Sequence, residues 1–497
     1  MGRSRPLFVL NMSTLLTRRH FVAGAGLAAA AVSTRAWSVE GGFDVVIIGA
    51  GLAGMNAAML LSELGANVVV LESEPRPGGR CRTMDEWYLA PDLGGAQIGR
   101  DYARVLDTAA KLAVKLGPGA HINAPYSFVL DDTLIAAQDW ESSPLNRTIG
   151  EERAIAPHTL GGHYVEARTP FTAIDGWLQP EAANYDLSLA QWLARQGASA
   201  AAQQIIRASI GRPLETLSVL RMMQEATRSR IGLAKIDAEL LKGKDQYERA
   251  GITSQHVVGG TSRLTDAMAA TLGERLRTSE RVTTIDMDAR GCTVRCAGGR
   301  RYRAQYVLAA LPFSVLRRID IRPGLRGAQA EAVRGMPYGN QSQVWLRLRE
   351  PYWEKDGLDA SMWTNGAFNL IRQQIEFDGS RELISALAFS DNAVRLDAMP
   401  HAERGRFAIA EIERIRPATS GVLEFVGAHS WLQVEGARGC SYQMTPGRAF
   451  DWTHAMGKPH ERLWFAGEHL RQLEVGMEAA MESGERAGRG IAELLMN

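Results

Sequence analysis

Gly49-Ala50-Gly51-Leu52-Ala53-Gly54, followed at position 72 by a glutamate, is a set of residues able to hold a diphosphate and a ribose. A glycine at 49 allows a tight turn, one at 51 lets the main chain approach an oxyanion, and one at 54 lets a helix pack closely on a strand. The first N–H groups of such a helix have no partner within it and attract phosphate. Glu72 stands 72 − 49 = 23 residues after the first glycine, close to the ~20 expected of an acid that bonds ribose hydroxyls. A carboxylate there disfavours a 2′-phosphate, and hence NADP. The elements that must position these residues can be read around them. Residues 43–50 are a β-branched apolar run suited to a buried parallel strand, 52–64 carry a helical pattern, and 67–71 form a second strand. Strand, glycines, helix, strand and acid in that order predict a dinucleotide cradle.

Composition narrows the rest. The 497 residues, 45% hydrophobic and 22% charged, suffice for two or three domains with sizeable cores. Lys plus Arg number 56 against 55 Asp plus Glu, and no basic run follows residue 40, which argues against a nucleic-acid partner. The four cysteines form neither a CxxC pair nor a Cys/His cluster, so no metal site is expected. Residues 1–36 hold five arginines and no acid, with an apolar stretch at 21–32. That stretch is shorter than the roughly 20 residues of a bilayer span, so an export signal is expected and a stable membrane span is not. Thr17-Arg18-Arg19-His20-Phe21-Val22 resembles a twin-arginine signal, with a small-residue cleavage site before Trp37. A short anchor and a basic tail are the alternatives, and Met12 is an alternative start. Export implies a periplasmic or secreted bacterial protein, and removal of the signal takes the net charge from +1 to 1 − 5 = −4.

The choice between NAD and FAD comes from further blocks. Pro77-Gly78-Gly79-Arg80-Cys81-Arg82-Thr83 places a glycine pair and an arginine just after the second strand. From here on the chain resembles the flavin-containing amine oxidase family, of the monoamine oxidase type, over most of the mature sequence. Asp92-Leu93-Gly94-Gly95-Ala96-Gln97-Ile98-Gly99 resembles the family's segment beneath the isoalloxazine. Val258-Gly259-Gly260-Thr261 and Arg281-Val282-Thr283-Thr284-Ile285 resemble the central segment whose valine, here Val282, meets the adenine through its backbone. Residues 306–312 resemble the strand returning to the FAD domain, and 463–469 with 476–484 the C-terminal strand and helix that close over the cofactor. In the last pair Gly467-Glu468 presents an acid to a ribityl or ribose hydroxyl, and the helix beginning near Met477 offers N–H groups to the electron-rich end of the reduced flavin.

The resemblance implies an α/β fold: a Rossmann-like FAD-binding domain, with a parallel sheet built on βαβ, interleaved with an α+β substrate domain. The FAD domain is expected at 40–120, 250–315 and 425–497, and the substrate domain at 121–249 and 316–424. Residues 187–248 read as helices, 344–348 and 383–389 as strands, and 141–170 as a polar loop. The pair Met222-Met223 reads as core.

Flavin-dependent amine oxidation moves a hydride equivalent from the carbon beside nitrogen to the flavin, leaving an imine that water hydrolyses. The protein must bind FAD, desolvate the amine and orient it; no nucleophile or metal is needed. Several positions depart from the family. A lysine lies near the flavin at the position matching Gln343, and its loss predicts slow reaction with oxygen and an exported electron acceptor as the alternative. Of the two substrate-facing aromatics, one position is Gly476, and the other falls at Ser441 or Tyr442. Tyr442, with Gln343, is thus the candidate catalytic set, and Trp431 a further stacking surface. Cys440 falls where some monoamine oxidases attach flavin through sulfur; non-covalent FAD is expected, with that link as the alternative. Gln97 replaces the carboxylate-binding arginine of the related amino-acid oxidases, with Arg100 nearby, and His469 reads as structural. The expectation is an exported FAD-dependent oxidase or dehydrogenase of a primary or secondary amine, reoxidised by oxygen or a periplasmic acceptor. An L-amino-acid oxidase, a carbon–carbon desaturase and a non-catalytic flavin-binding protein are the alternatives. Oligomeric state is left open.

Overall fold

The apolar run at 43–48 lies in a strand, Val39–Ile48, whose Val45, Val46 and Ile47 are fully buried. The computed structural model describes residues 39–118, 126–244, 246–375 and 380–497; the expected export signal at 1–36 lies outside them. Val39–Ile48 is central to an eight-stranded sheet. Val68–Leu71 and Arg301–Ala309 flank it in parallel, Leu276–Arg277 lies beyond the former, and Leu463–Phe465 pairs in parallel with the end of the latter. The start of Arg301–Ala309 pairs antiparallel with Gly291–Cys296, which leads on to Val282–Asp288 and Asp320–Arg322. The helix Leu52–Glu63 connects the first two parallel strands, and the C-terminal helix Gly476–Met496 packs against it.

A second sheet of seven strands runs in the order Leu423–Ser430, Gln341–Leu348, Leu383–Phe389, Leu370–Gln374, Ser361–Thr364, Tyr126–Leu130, Thr133–Ile135. Its strands are two-faced, because successive side chains alternate. Val344, Leu346, Ile371, Ile384 and Ala386 join one core with Ala408 and Ile412 of the helix His401–Ile415. The opposite face, with Gln343 and Trp345, borders the cavity described below.

Three expectations need correction. Asp320–Arg322 belongs to the first sheet, past the expected boundary at 315, and Leu423–Ser430 belongs to the second through its pairing with Gln341–Leu348, so the boundary at 425 cuts a strand. Residues 160–168 are helical: Leu160, Tyr164 and Val165 are buried on one face, and the helix packs on Leu220–Leu233. Tertiary burial overrides the weak local preference of Gly161-Gly162. The segment 187–248 contains the helices Leu189–Arg195, Ala200–Ile210, Leu220–Leu233 and Ala238–Leu241. Met223 is fully buried in the core, with Met222 packed against it.

Candidate active site

Four parallel strands end at Ile48, Leu71, Ala309 and Phe465, and the residues that follow them, among them Gly49, Glu72, Ala310 and Gly467, line one cavity of about 600 Å³. Ligands of open α/β sheets sit at this end of the strands because connecting loops and helix N-termini converge there. The opposite wall is the other face of the second sheet, including Gln341, Gln343, Trp345 and Arg372, with Trp431 just past the end of Leu423–Ser430.

At the turn, Gly49 has φ +104°, and a Cβ on it would stand 2.7 Å from the Ala310 carbonyl oxygen. A Cβ on Gly54 would stand 2.0 Å from the Gly49 carbonyl oxygen, so helix and turn touch through backbone alone. A Cβ on Gly51 would meet nothing within 4 Å. Gly51 is also the N-cap of Leu52–Glu63, with no side-chain cap and no acid in the first turn. The helix thus presents uncapped N–H groups beside open space, and Gly51, Leu52 and Ala53 line the cavity. Ala50, expected among the cofactor contacts, does not line it: its N–H donates to Glu72 Oε2 at 2.8 Å. Glu72 also accepts from the Glu74 N–H (2.9 Å) and Ser73 Oγ (3.1 Å) while lining the cavity, so the expected ribose acid braces the turn as well. Burial raises its pKa, and those hydrogen bonds oppose the shift.

Arg80 Nη1 crosses to the Cys440 carbonyl (2.6 Å) and to Glu468 Oε2 (3.3 Å), tying the glycine-rich loop to the C-terminal segment. Gly79, Gly95, Ala96, Gln97, Gly467, Glu468 and Met477 all line the cavity. Gln343 Nε2 donates to the Leu93 carbonyl (2.8 Å), Gln343 Oε1 accepts from Trp345 Nε1 (3.0 Å), and Trp431 Nε1 donates to the same Leu93 carbonyl (3.2 Å). One network therefore fixes three side chains of the wall.

The family model for flavin containing amine oxidoreductase matches residues 52–492. The chain belongs to that family. Among curated relatives, it is 26% identical to a probable flavin-containing monoamine oxidase A of Dictyostelium discoideum, covering 92% of this chain and 98% of the relative. It is 27% identical to a flavin-dependent L-tryptophan oxidase of Lentzea aerocolonigenes, covering 90% and 97%. Solved structures with the same fold include cyclohexylamine oxidase from Brevibacterium oxydans (TM-score 0.73, 23% identity, 92% and 100% covered) and wild-type putrescine oxidase bound to putrescine (0.70, 20%, 93% and 100%). The protein is an oxidoreductase acting on amines.

The residues present fit the flavin that this family implies. Besides the uncapped helix, the cavity wall holds His469, whose two ring nitrogens are buried with no hydrogen-bond partner. Such atoms call for a polar ligand, since buried polar groups are otherwise bonded. Burial, then the charge of Arg80, pulls the His469 pKa down to about 3, so the ring is neutral. It packs edge-on against Phe313, 4.3 Å between centroids. His469 therefore meets the cavity directly, which its reading as a merely structural residue did not anticipate.

Several expected amine-oxidase contacts lie elsewhere. Val282 is 7% exposed within the core and does not line the cavity. The residues just before it bind the segment that lines the site: Glu280 and Ser279 donate their N–H groups to the Glu72 and Glu74 carbonyls, at 2.7 and 3.0 Å. Tyr442 is fully buried behind the wall, its hydroxyl accepting from Arg471 Nε, and the preceding Ser441 lines the cavity instead. Tyr442 is thus not placed to touch substrate. Cys440 lines the cavity, but its Sγ lies 2.9 Å from Gln341 Oε1 and burial pushes its pKa up to about 11. Arg100 is exposed and does not line the cavity. Gln341, Trp345 and Arg372 were missed from sequence; a wall built from alternate residues of several strands carries no local motif.

Proposed function

We propose that the protein oxidises a primary or secondary amine to an imine using non-covalently bound FAD. The observation that carries this reading is the single cavity joining the uncapped helix at Gly51 to the wall of Gln343, Trp345 and Trp431. FAD, when bound, accepts the hydride equivalent lost from the carbon beside nitrogen. Gly51 and the first-turn N–H groups would hold its diphosphate, Glu72 a ribose hydroxyl, Glu468 a hydroxyl further along, and Gly95 to Gln97 the underside of the ring. Trp345 and Trp431 offer apolar faces that exclude water, which favours the neutral amine. A thiol held near pKa 11 stays protonated and unreactive, which supports non-covalent binding. The names of the relatives, covering monoamines, cyclohexylamine, putrescine and L-tryptophan, support amines as a class and span both small and bulky examples.

We also propose that the protein is exported by the twin-arginine route and passes electrons to a small periplasmic acceptor more readily than to oxygen. Both polar ends of Gln343 are committed to the wall, so it supplies no cation there. Replacing Gln343 with lysine is expected to speed reoxidation in air about tenfold, because a nearby cation favours electron transfer to oxygen, while breaking two wall hydrogen bonds. Stopped-flow mixing of the reduced variant with air-saturated buffer measures this. Equal rates, or rapid wild-type reoxidation, would refute the role given to Gln343.

The central test is anaerobic bleaching of the flavin absorbance of the mature holoenzyme by a panel of amines. Bleaching by at least one amine is expected; a flavin-loaded protein that no amine bleaches would overturn amine oxidation.

A further inference from the structure

Of the charged side chains that line the cavity, most already have partners. Arg76 donates to the carbonyls of Pro77 and Gly79, both at 3.0 Å, Arg80 pairs with Glu468, and Asp92 accepts from Thr83 Oγ1 at 2.7 Å. Arg372 differs. Its Nε is buried with no hydrogen-bond partner, and no carboxylate among the described residues pairs with it. Tyr126 is the one described ionisable residue that bears on its charge. A guanidinium cannot shed its proton under ordinary conditions, so an unpaired one in a secluded site is costly unless an anion arrives.

Its position is defined by strand register. Arg372 pairs with Ser385, and Ser385 with Trp345, so the three form a row across the cavity face, while Ile371 lies in the core on the other side. Two strand spacings separate Arg372 from Trp345, about 10 Å. Trp345 is in turn bonded to Gln343. The cation therefore sits on the cavity face of the second sheet, two strands from Trp345.

We propose that Arg372 receives a carboxylate of the substrate, so that the substrate is an amino acid or another amine bearing a carboxylate. The proposal rests on the amine-oxidation reading and narrows it. A guanidinium fork matches a carboxylate with two parallel hydrogen bonds, and such a pair is strong where water is excluded. The same charge repels simple ammonium and diammonium ions. Neutral Gln97 and outward Arg100 offer no competing cation.

The test uses the holoenzyme and the flavin difference spectrum as a binding signal, with benzoate and benzamide as matched anionic and neutral probes. Wild type is expected to bind benzoate at least tenfold tighter than benzamide. R372Q should weaken benzoate about 30-fold and leave benzamide unchanged, with R372K in between. Benzoate binding no tighter than benzamide in wild type, or undiminished in R372Q, would overturn the proposal; the wild-type comparison stands even if R372Q fails to fold. Anaerobic bleaching by phenethylamine and L-phenylalanine, run in parallel, separates the two ideas. Bleaching by amines without benzoate selectivity removes the carboxylate site and keeps amine oxidation. Benzoate selectivity without bleaching by any amine does the reverse.

Discussion

Alanine at position 51 is expected to give a folded protein that has lost its flavin, and alanine at position 54 a protein that does not fold. The two glycines are three residues apart, yet what a Cβ would meet differs completely. At Gly51 it would meet nothing within 4 Å, and the backbone (φ −81°, ψ 178°) suits any residue, so the fold tolerates it. The cost in stability is that of a poorer N-cap, within about 1 kcal/mol. The methyl would occupy space that a diphosphate needs in order to reach the helix N–H groups, and losing those bonds is worth about 3 kcal/mol, a hundredfold in FAD affinity. At Gly54 the Cβ would stand 2.0 Å from the Gly49 carbonyl oxygen. That carbonyl has little room to yield, because the Gly49 N–H is bonded to the Leu71 carbonyl at 2.8 Å and a Cβ on Gly49 would itself stand 2.7 Å from the Ala310 carbonyl oxygen. The helix would have to leave the sheet, a loss above about 4 kcal/mol. Circular dichroism and FAD titration of both variants check this. A Gly54→Ala protein that purifies with full flavin content, or a Gly51→Ala protein with wild-type affinity, would contradict the assigned geometry.

The cradle was legible because its logic is local. A β-branched run, three glycines and an acid lie within thirty-odd residues, and each acts on its neighbours through backbone geometry. The far wall was not, for a different reason in each case. Ser441 and Tyr442 are adjacent on an extended strand, so they point to opposite sides; counting residues locates the pair without saying which one faces the cavity, and the larger residue is the buried one. Arg372 sits in the strand Leu370–Gln374 with no neighbouring pattern to mark it. It matters only because the sheet order sets it in a row with Ser385 and Trp345. Val282 stands apart: its segment arrives as expected, with Ser279 and Glu280 bonded to the carbonyls of Glu74 and Glu72, while Val282 itself packs in the core. The helix Leu160–Arg168 escaped notice because its stability comes from packing on Leu220–Leu233 and not from its own glycine-containing sequence.

The protein is expected to lose stability between pH 6.5 and pH 5, through three histidines that the fold keeps neutral. Burial, with Arg80 adding to it, holds His469 at about 3; burial, with Arg82 and Arg76, holds His429 at about 3; burial alone holds His158 at about 4. In the unfolded chain each returns to 6.5. Below that pH the unfolded state binds protons that the folded state refuses, so each histidine withdraws about 1.4 kcal/mol per pH unit as pH falls from 6.5 towards its folded value, after about 0.4 at pH 6.5 itself and almost nothing by pH 7.5. At pH 5 this is about 2 kcal/mol each, or about 6 in all. Asp92 acts with the opposite sign: burial raises it to about 6, so acidification through that pH returns about 1.4 kcal/mol by pH 5. Glu72, Glu474 and Asp359, whose pKa values burial also raises, act in the same direction as Asp92, so the net loss is smaller than the histidine total. Urea midpoints of the flavin-free protein at pH 7.5, 6.5 and 5.0 should therefore fall slightly between the first two and further at the third. His469→Gln should remove about a third of the histidine contribution to the slope, because an amide side chain does not titrate in this range. A midpoint unchanged at pH 5.0 would mean that these rings accept protons within the fold, and that anionic groups reach them which the structure does not place there.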